Sequence, residues 1–168
     1  MILKEIVNLN QSKIFIVCLL FVAFGMSSCM DTTYEKYMPI KDNTWSKEQA
    51  CCFEFQVDDS TLLYDIDVEV RNNNFYPYQN LWLLCEELHA DSIFVRDTLN
   101  CELADVFGKW HGSGISIFQT SFPLRKSYRF PKTGKYSISI KHGMRNDALL
   151  GIREVGVRLT SSCQCVEK

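Results

Sequence analysis

The sequence predicts an all-β protein, a single antiparallel β-sandwich or jelly roll behind an N-terminal signal peptide. Two observations support this prediction. Several segments alternate apolar and polar residues with a period of two, which is typical of half-buried strands. Clusters of Asp, Asn, Ser, Pro and Gly separate these segments, as turns do between short strands. Many short strands joined by frequent turns favour a sandwich.

Composition limits the function before any motif is considered. The chain has 168 residues, enough for one domain and a targeting segment. Hydrophobic residues make up 46% and charged residues 23%, which excludes a disordered tail and a polytopic membrane protein. The 18 basic and 20 acidic residues nearly cancel, so we expect no nucleic-acid partner.

The chain begins with an export signal. Lys4 and Lys13 precede an uncharged apolar run over residues 14–24. This run is shorter than the roughly 20 residues of a transmembrane helix, and the basic residues before it are typical of a secretory signal. Small residues then lead into Cys29 in the sequence Met-Ser-Ser-Cys, which resembles the lipobox of bacterial lipoproteins.

The lipobox divides the chain into three predicted parts. Residues 1–28 form a lipoprotein signal peptide that is removed. Residues 29–44 form the lipidated N-terminus and a tether, because they show no clean hydrophobic period. Residues 45–168 form the β-sandwich domain. Cys29 carries the acyl chains, palmitate among them, that hold the domain on a membrane.

The clearest strand spans residues 62–71, where apolar residues alternate with a polar set that includes Asp65, Asp67 and Glu69. We expect the apolar set to face the core and the three acids to lie on a solvated sheet face. Binding of Ca²⁺ by these acids is the less favoured alternative.

Other segments predict further strands. The run 81–85 is almost wholly apolar, which predicts a central strand covered on both faces. The remaining strand segments are 51–57, 80–88, 92–99, 136–141 and 154–159.

The sequence contains no catalytic motif that we recognise. His89, His111 and His142 lack the spacing of a zinc protease, and we expect each at the surface or in a loop. The segment 112–114 lacks the spacing of a hydrolase nucleophile elbow. We therefore predict that the protein is not an enzyme and uses neither a cofactor nor a metal.

Aromatic residues support a second interpretation of the function. Exposed rings at Tyr76, Tyr78, Trp82 and Trp110 would stack on sugars, so a carbohydrate-binding sandwich lipoprotein of the cell envelope is the alternative. Packing in the core and loops is the favoured role of these rings.

The cysteines leave the redox state open. Six of them follow Cys29, and their number allows many disulfide pairings. Apolar packing is expected for Cys51 and Cys85. The others are Cys52, Cys101, Cys163 and Cys165.

Several motifs in a fixed order carry a family resemblance. They are RNNNFYPYQNL at 71–81, DTL at 97–99, LAD at 103–105, GKWHGSG at 108–114, RFPKTGKY at 129–136, MRND at 144–147 and LGIREVGVR at 150–158. In this order and spacing they resemble the gliding motility-associated lipoprotein H family (GldH), over roughly the whole mature chain.

The resemblance implies an outer-membrane lipoprotein that is a component or assembly factor of the gliding motility machinery and its associated secretion apparatus. It implies a lipid anchor on Cys29, with the periplasmic face favoured over the cell surface. It also implies partners among the other envelope proteins of that machinery, and no enzymatic activity.

A partner-docking patch is predicted on the loop that carries Trp110 and on the segment 144–151. Trp and Arg are enriched among the residues that dominate binding energy, so Trp110 and Arg145 are the candidate anchors. Asp147 is the candidate partner of Arg145 in an ion pair or a turn cap.

Overall fold

The structure, a computed structural model, describes residues 31–89 and 92–162. No helix in these residues is long and apolar enough to cross a membrane. The strands are β1 (Asp31–Pro39), β2 (Thr44–Ser46), β3 (Cys51–Val57), β4 (Leu63–Asn73), β5 (Asn80–His89), β6 (Ser92–Glu102), β7 (Ile117–Tyr128), β8 (Gly134–His142), β9 (Ala148–Leu150) and β10 (Ile152–Ser162).

Two four-stranded sheets enclose the core. Sheet I has the strand order β1-β10-β4-β7, and sheet II has the order β3-β8-β5-β6. All of these pairs are antiparallel. Apart from the β5–β6 hairpin, the chain crosses from one sheet to the other at each step between their strands, as in two Greek keys, so the fold is a jelly roll. The predicted all-β antiparallel sandwich is confirmed.

The inward residues of both sheets form one hydrophobic core. Burial alternates residue by residue in β3, as its sequence predicts. Phe130 contacts several aromatic rings of the core. Its ring centroid lies 5.9 Å from that of Phe55 and 4.6 Å from that of Tyr136. Cys51 and Cys85 are buried as predicted, and burial raises the pKa of these thiols to about 11 and about 12.

An ion-pair cluster joins the two sheets along one side. The guanidinium of Arg125 in β7 contacts the carboxylates of Glu87 in β5 and Asp97 in β6. Glu87 is 3% exposed, and burial raises the pKa of its carboxyl group against the opposing effect of Arg125. The buried carboxylate of Glu87 therefore lies beside the positive charge of Arg125. A buried charge without such a partner would destabilise the protein.

The predicted tether is wrong for residues 31–44, because Asp31–Pro39 forms β1 at the edge of sheet I. Tyr34 and Met38 of this strand pack against the core. The alternation is hidden in the sequence because Lys36 occupies an inward position at the edge, and the aromatic Tyr37 faces outward. The domain therefore begins at β1.

The acidic face of β4 was predicted to be solvated, and this prediction is wrong for Asp67 and Glu69. Asp67 is 6% exposed and Glu69 is 1% exposed. Arg158 of β10 covers both acids, with its Nη2 atom 3.4 Å from Asp67 Oδ2 and 3.0 Å from Glu69 Oε1. Lys126 of β7 adds a contact of 3.1 Å to Asp67 Oδ1. Long cations from the neighbouring strands therefore bury these carboxylates.

Tyr37 covers another part of the same face. Its ring lies over Gly156 of β10, where a Cβ atom would come within 2.6 Å of the ring carbon Cδ1. The guanidinium of Arg71 lies 3.9 Å from the centroid of this ring. The side-chain amide of Gln119 donates a hydrogen bond of 3.0 Å to the Tyr37 hydroxyl. The middle of the outer face of sheet I is thus closed by its own side chains.

The outer face of sheet II is open. Strand β5 is central in this sheet, as predicted, but it is covered on one face only. Trp82 is 41% exposed and Leu84 is 45% exposed on the outer side. The prediction of cover on both faces is therefore wrong.

Candidate docking surface

The two ends of the sandwich differ in their connections. The basal end holds the first residue of β1, because Asp31 pairs with Ser161 near the end of β10. The opposite end, called the loop end here, carries the connection 40–50 and three further ones, called the first, second and third loops: 74–79, 103–116 and 143–151. The predicted docking residues Trp110, Arg145 and Asp147 all lie on loop-end segments.

Exposed apolar side chains concentrate at the loop end. Of the eight large apolar residues that are exposed in the described part of the chain, six lie there. They are Phe75 (73%), Val106 (78%), Phe107 (93%), Ile115 (95%), Ile117 (40%) and Leu150 (52%). Clustered exposed apolar residues of this kind mark interaction sites, whereas isolated ones do not.

A rigid turn presents Val106 and Phe107. The Asp105 carboxylate accepts hydrogen bonds from the backbone N–H groups of Phe107, at 2.8 Å, and Lys109, at 2.9 Å. These bonds hold the pKa of Asp105 below its ordinary value. Gly108 completes the turn with a positive φ of 81°, which glycine adopts without strain. The exposed Phe107 ring is therefore carried on a fixed backbone.

A second turn presents Ile115. Ser113 and Gln119 exchange two backbone hydrogen bonds of 3.1 Å, which close the turn between them. Fixed loops bind with a smaller entropic cost than mobile ones, so both turns suit a docking surface.

Gly151 joins the third loop (143–151) to the first (74–79). Its N–H donates to the carbonyl of Asn43, at 2.8 Å, and its carbonyl accepts from the N–H of Asn73, at 2.9 Å. Its φ is 91°, and a Cβ atom here would collide with the backbone of Tyr76. The hydroxyl of Tyr78 also donates a hydrogen bond of 3.0 Å to Asn146. The loops of this end therefore form one connected surface.

Trp110 is a connecting residue within this surface. Its indole N–H donates a hydrogen bond of 2.9 Å to the Asn74 side chain, and its ring stacks on Phe118 with centroids 5.8 Å apart. The ring is half-buried. Trp110 therefore fixes the first loop to the second and leaves the most exposed positions to Phe107 and Ile115.

Arg145 and Asp147 are both exposed at the loop end. The ion pairs of the described residues do not include one between them. Asp147 instead accepts a backbone hydrogen bond of 2.7 Å from Lys47 through its carbonyl. Cys29, Cys163 and Cys165 lie outside the described residues.

Sequence reasoning missed the exposed Phe75, Phe107 and Ile115. A signal for Phe107 was present, because Asp105 and Gly108 enclose two apolar residues and such spacing marks a turn. Apolar residues at the tip of a turn have no core to face. Nothing comparable in the sequence separates Phe75 or Ile115 from a buried residue.

The layer beneath the loop end includes a buried histidine. His142 is 1% exposed and contacts the Trp45 ring edge-on, with centroids 5.4 Å apart. The expectation of a surface or loop position is wrong for His142, because the last residue of β8 points into the core. Burial lowers the pKa of this imidazole, and the nearby Lys47 charge acts in the same direction.

Comparisons with known proteins agree with the motifs. The family model described as GldH lipoprotein matches residues 32–159. The gliding motility lipoprotein GldH homolog of Christiangramia forsetii is 30% identical, over 90% of this chain and 98% of the relative. The gliding motility lipoprotein GldH of Flavobacterium johnsoniae is 31% identical, over 84% of this chain and 92% of the relative. The chain therefore belongs to the GldH lipoprotein family.

Proposed function

We propose that the chain is a lipid-anchored outer-membrane protein, held on the periplasmic face, that serves the gliding motility and secretion machinery as a non-enzymatic component or assembly factor. The observation that carries this proposal is the apolar cluster at the loop end, opposite the end that leads to Cys29. The names of the relatives from C. forsetii and F. johnsoniae support the association with gliding.

The anchor sets the orientation of the domain. Cys29 stands two positions before Asp31, the first residue of β1. The nine residues of β1 run from the basal end to the loop end and cover about 30 Å at the usual strand rise. A lipid on Cys29 therefore holds the basal end near the bilayer and directs the loop end away from it.

This orientation selects the occupant of the loop end. The anchoring bilayer lies at the other end of the domain, so it is not the surface that covers Phe107 and Ile115. Two copies anchored in one leaflet direct their loop ends the same way, so they do not meet head to head. The occupant is therefore a different envelope protein with an apolar surface of its own.

The engagement of the acids supports a non-enzymatic role. Asp67 and Glu69 are both held by Arg158, and Glu87 is held by Arg125. A general acid or base needs a carboxyl group that reaches a substrate in a cleft. These three carboxylates instead serve the packing of the sandwich.

Site-specific crosslinking in living cells tests this function. A photoreactive amino acid is placed at position 107, and a matched control is placed at position 132 at the basal end, which is also exposed. We expect a discrete adduct with a gliding or secretion protein from position 107 and none from position 132. Equal adducts from both positions would contradict docking through the loop end.

Two variants complete the test. Phe107→Asp should abolish the adduct formed from position 75 and impair gliding or secretion, while the amount of protein in the membrane stays unchanged. Cys29→Ala should release the protein from the outer-membrane fraction. Digestion of the wild-type domain by protease added to intact cells would overturn the periplasmic assignment.

A further inference from the structure

The outer face of sheet II has a cleft that docking at the loop end does not use. This cleft has a volume of about 490 Å³ and lies over the paired strands β5 and β6. Its lining includes Leu84 and Glu86 of β5, and Arg96 and Thr98 of β6. The volume falls within the range of small-ligand sites in proteins, about 300–1,000 Å³.

Strand register orders the side chains along this cleft. Glu86 lies opposite Arg96, and Leu84 lies opposite Thr98. The next outward pair, Trp82 with Asn100, lies beside the cleft and is not part of its lining. Outward residues from Trp82 to Glu86 therefore form a row of about 13 Å at the usual strand rise.

The row combines one flat aromatic ring with several polar groups. Trp82 is 41% exposed beside Asn100. The Asn100 side-chain oxygen accepts a hydrogen bond of 3.1 Å from Asn80, which fixes the orientation of its amide. Arg96 donates a hydrogen bond of 3.0 Å to Glu86. An amide, a hydroxyl and a charged pair thus lie along this row, with the apolar Leu84 between Trp82 and Glu86.

This chemistry distinguishes the cleft from the loop end. Protein interfaces are depleted of charged residues at their core, and the loop end with its six apolar side chains fits that description. A sugar ring has an apolar C–H face and a rim of hydroxyl groups. The first packs on an indole, and the second bonds to amides, hydroxyls and carboxylates.

We propose that the outer surface of β5 and β6 binds a glycan, with one sugar ring stacked on Trp82 beside Asn100 and the next ring in the adjoining cleft, bonded to Thr98 and the Glu86–Arg96 pair. This surface is a side of the sandwich, whereas the docking surface lies at the loop end. A glycan and a protein at the loop end can therefore be bound together.

Binding measurements on the detergent-purified lipoprotein test the proposal. The probes are muramidase-digested peptidoglycan, chitohexaose, cellohexaose and alginate oligomers, and calorimetry gives each Kd. We expect at least one probe to bind and to change Trp fluorescence. Trp82→Ala should weaken that binding by about tenfold or more, and Trp82→Phe should restore most of it.

Matched variants separate this site from the docking surface. Phe107→Ala also removes an exposed aromatic ring, and it should leave glycan binding unchanged. Asn100→Ala should weaken binding with no change in the melting temperature, which guards against a folding defect in Trp82→Ala. Failure of all four probes to bind would overturn the proposal, and so would binding that Trp82→Ala leaves intact. Neither result affects docking through the loop end.

Discussion

The middle of the outer face of sheet I is closed by its own side chains, whereas the outer face of sheet II is open. On sheet I, Arg158 covers Asp67 and Glu69, and Tyr37 covers Gly156. On sheet II, the outward residues Trp82 and Leu84 are 41% and 45% exposed. Both faces lie on strands of the same jelly roll.

The difference follows from the side chains that each face offers its neighbours. Adjacent strands of sheet I present opposite charges in register, since Arg158 pairs with Asp67 across β10 and β4. Cross-strand pairs of this kind stabilise a sheet. On sheet II, Arg96 pairs with Glu86 across β6 and β5, and the neighbouring Leu84 lies between Thr98 and Lys141, where a cleft remains. Outward side chains that pair with one another stabilise the sheet, whereas outward side chains without such pairs can contact a ligand.

The largest expected effect is on sheet I. Arg158→Ala leaves the 1%-exposed Glu69 without its cation, and breaking a buried pair destabilises a protein strongly. We expect a loss of about 2–3 kcal/mol in the free energy of unfolding, reduced from the fully buried case because the Arg158 side chain is 33% exposed. Urea denaturation measures this loss.

The matched control is Arg96→Ala on sheet II. Arg96 is 71% exposed in its pair with Glu86, so its removal should cost about 0.5 kcal/mol or less. Equal losses from the two arginine variants would show that the two faces do not differ.

The next effect concerns the contact between Tyr37 and Gly156. A methyl group at position 156 would enter the space of the Tyr37 ring, so Gly156→Ala should cost about 1–2 kcal/mol in the free energy of unfolding. Removing the Tyr37 ring should relieve this clash. The preference of a strand for alanine over glycine would then act in favour of the substitution.

A double-mutant cycle measures this coupling. In a Tyr37→Ala background, Gly156→Ala should cost less than in the wild type when unfolding is followed in urea, because only the 3.1 Å approach of the Cβ atom to the Lys36 carbonyl oxygen remains. Additive losses from the two substitutions would mean that the ring does not occupy the position seen here.

Alternation in the sequence was sufficient to predict the sandwich and several of its strands, including β3 and β4. It did not predict closure of the sheet I face, because the pattern at 62–71 says which residues face outward and not which cations lie opposite. Strand β1 was missed since edge strands tolerate charge on both faces. The loop-end segments were found through Trp110 and Arg145, while the exposed Phe107 was missed although Asp105 and Gly108 mark its turn, and the exposed Phe75 and Ile115 have no such signal.

The stability of the loop end should depend on pH through His142. Its pKa is lowered in the folded state, so the unfolded chain binds more protons as the pH falls through its ordinary value near 6.5. We expect the free energy of unfolding to fall between about pH 7.5 and about pH 5.5. His142→Phe should reduce this slope, measured by urea denaturation at each pH. An unchanged slope would exclude His142 as the titrating group.

The smallest effect is expected from Leu84→Thr on sheet II. Leu84 is 45% exposed, so the substitution removes little buried apolar area, and threonine suits a strand at least as well. The free energy of unfolding should change by about 0.5 kcal/mol or less. A loss of about 2 kcal/mol or more would mean that Leu84 is covered in the protein. The outer face of sheet II would then resemble that of sheet I, and no open cleft would remain for a ligand.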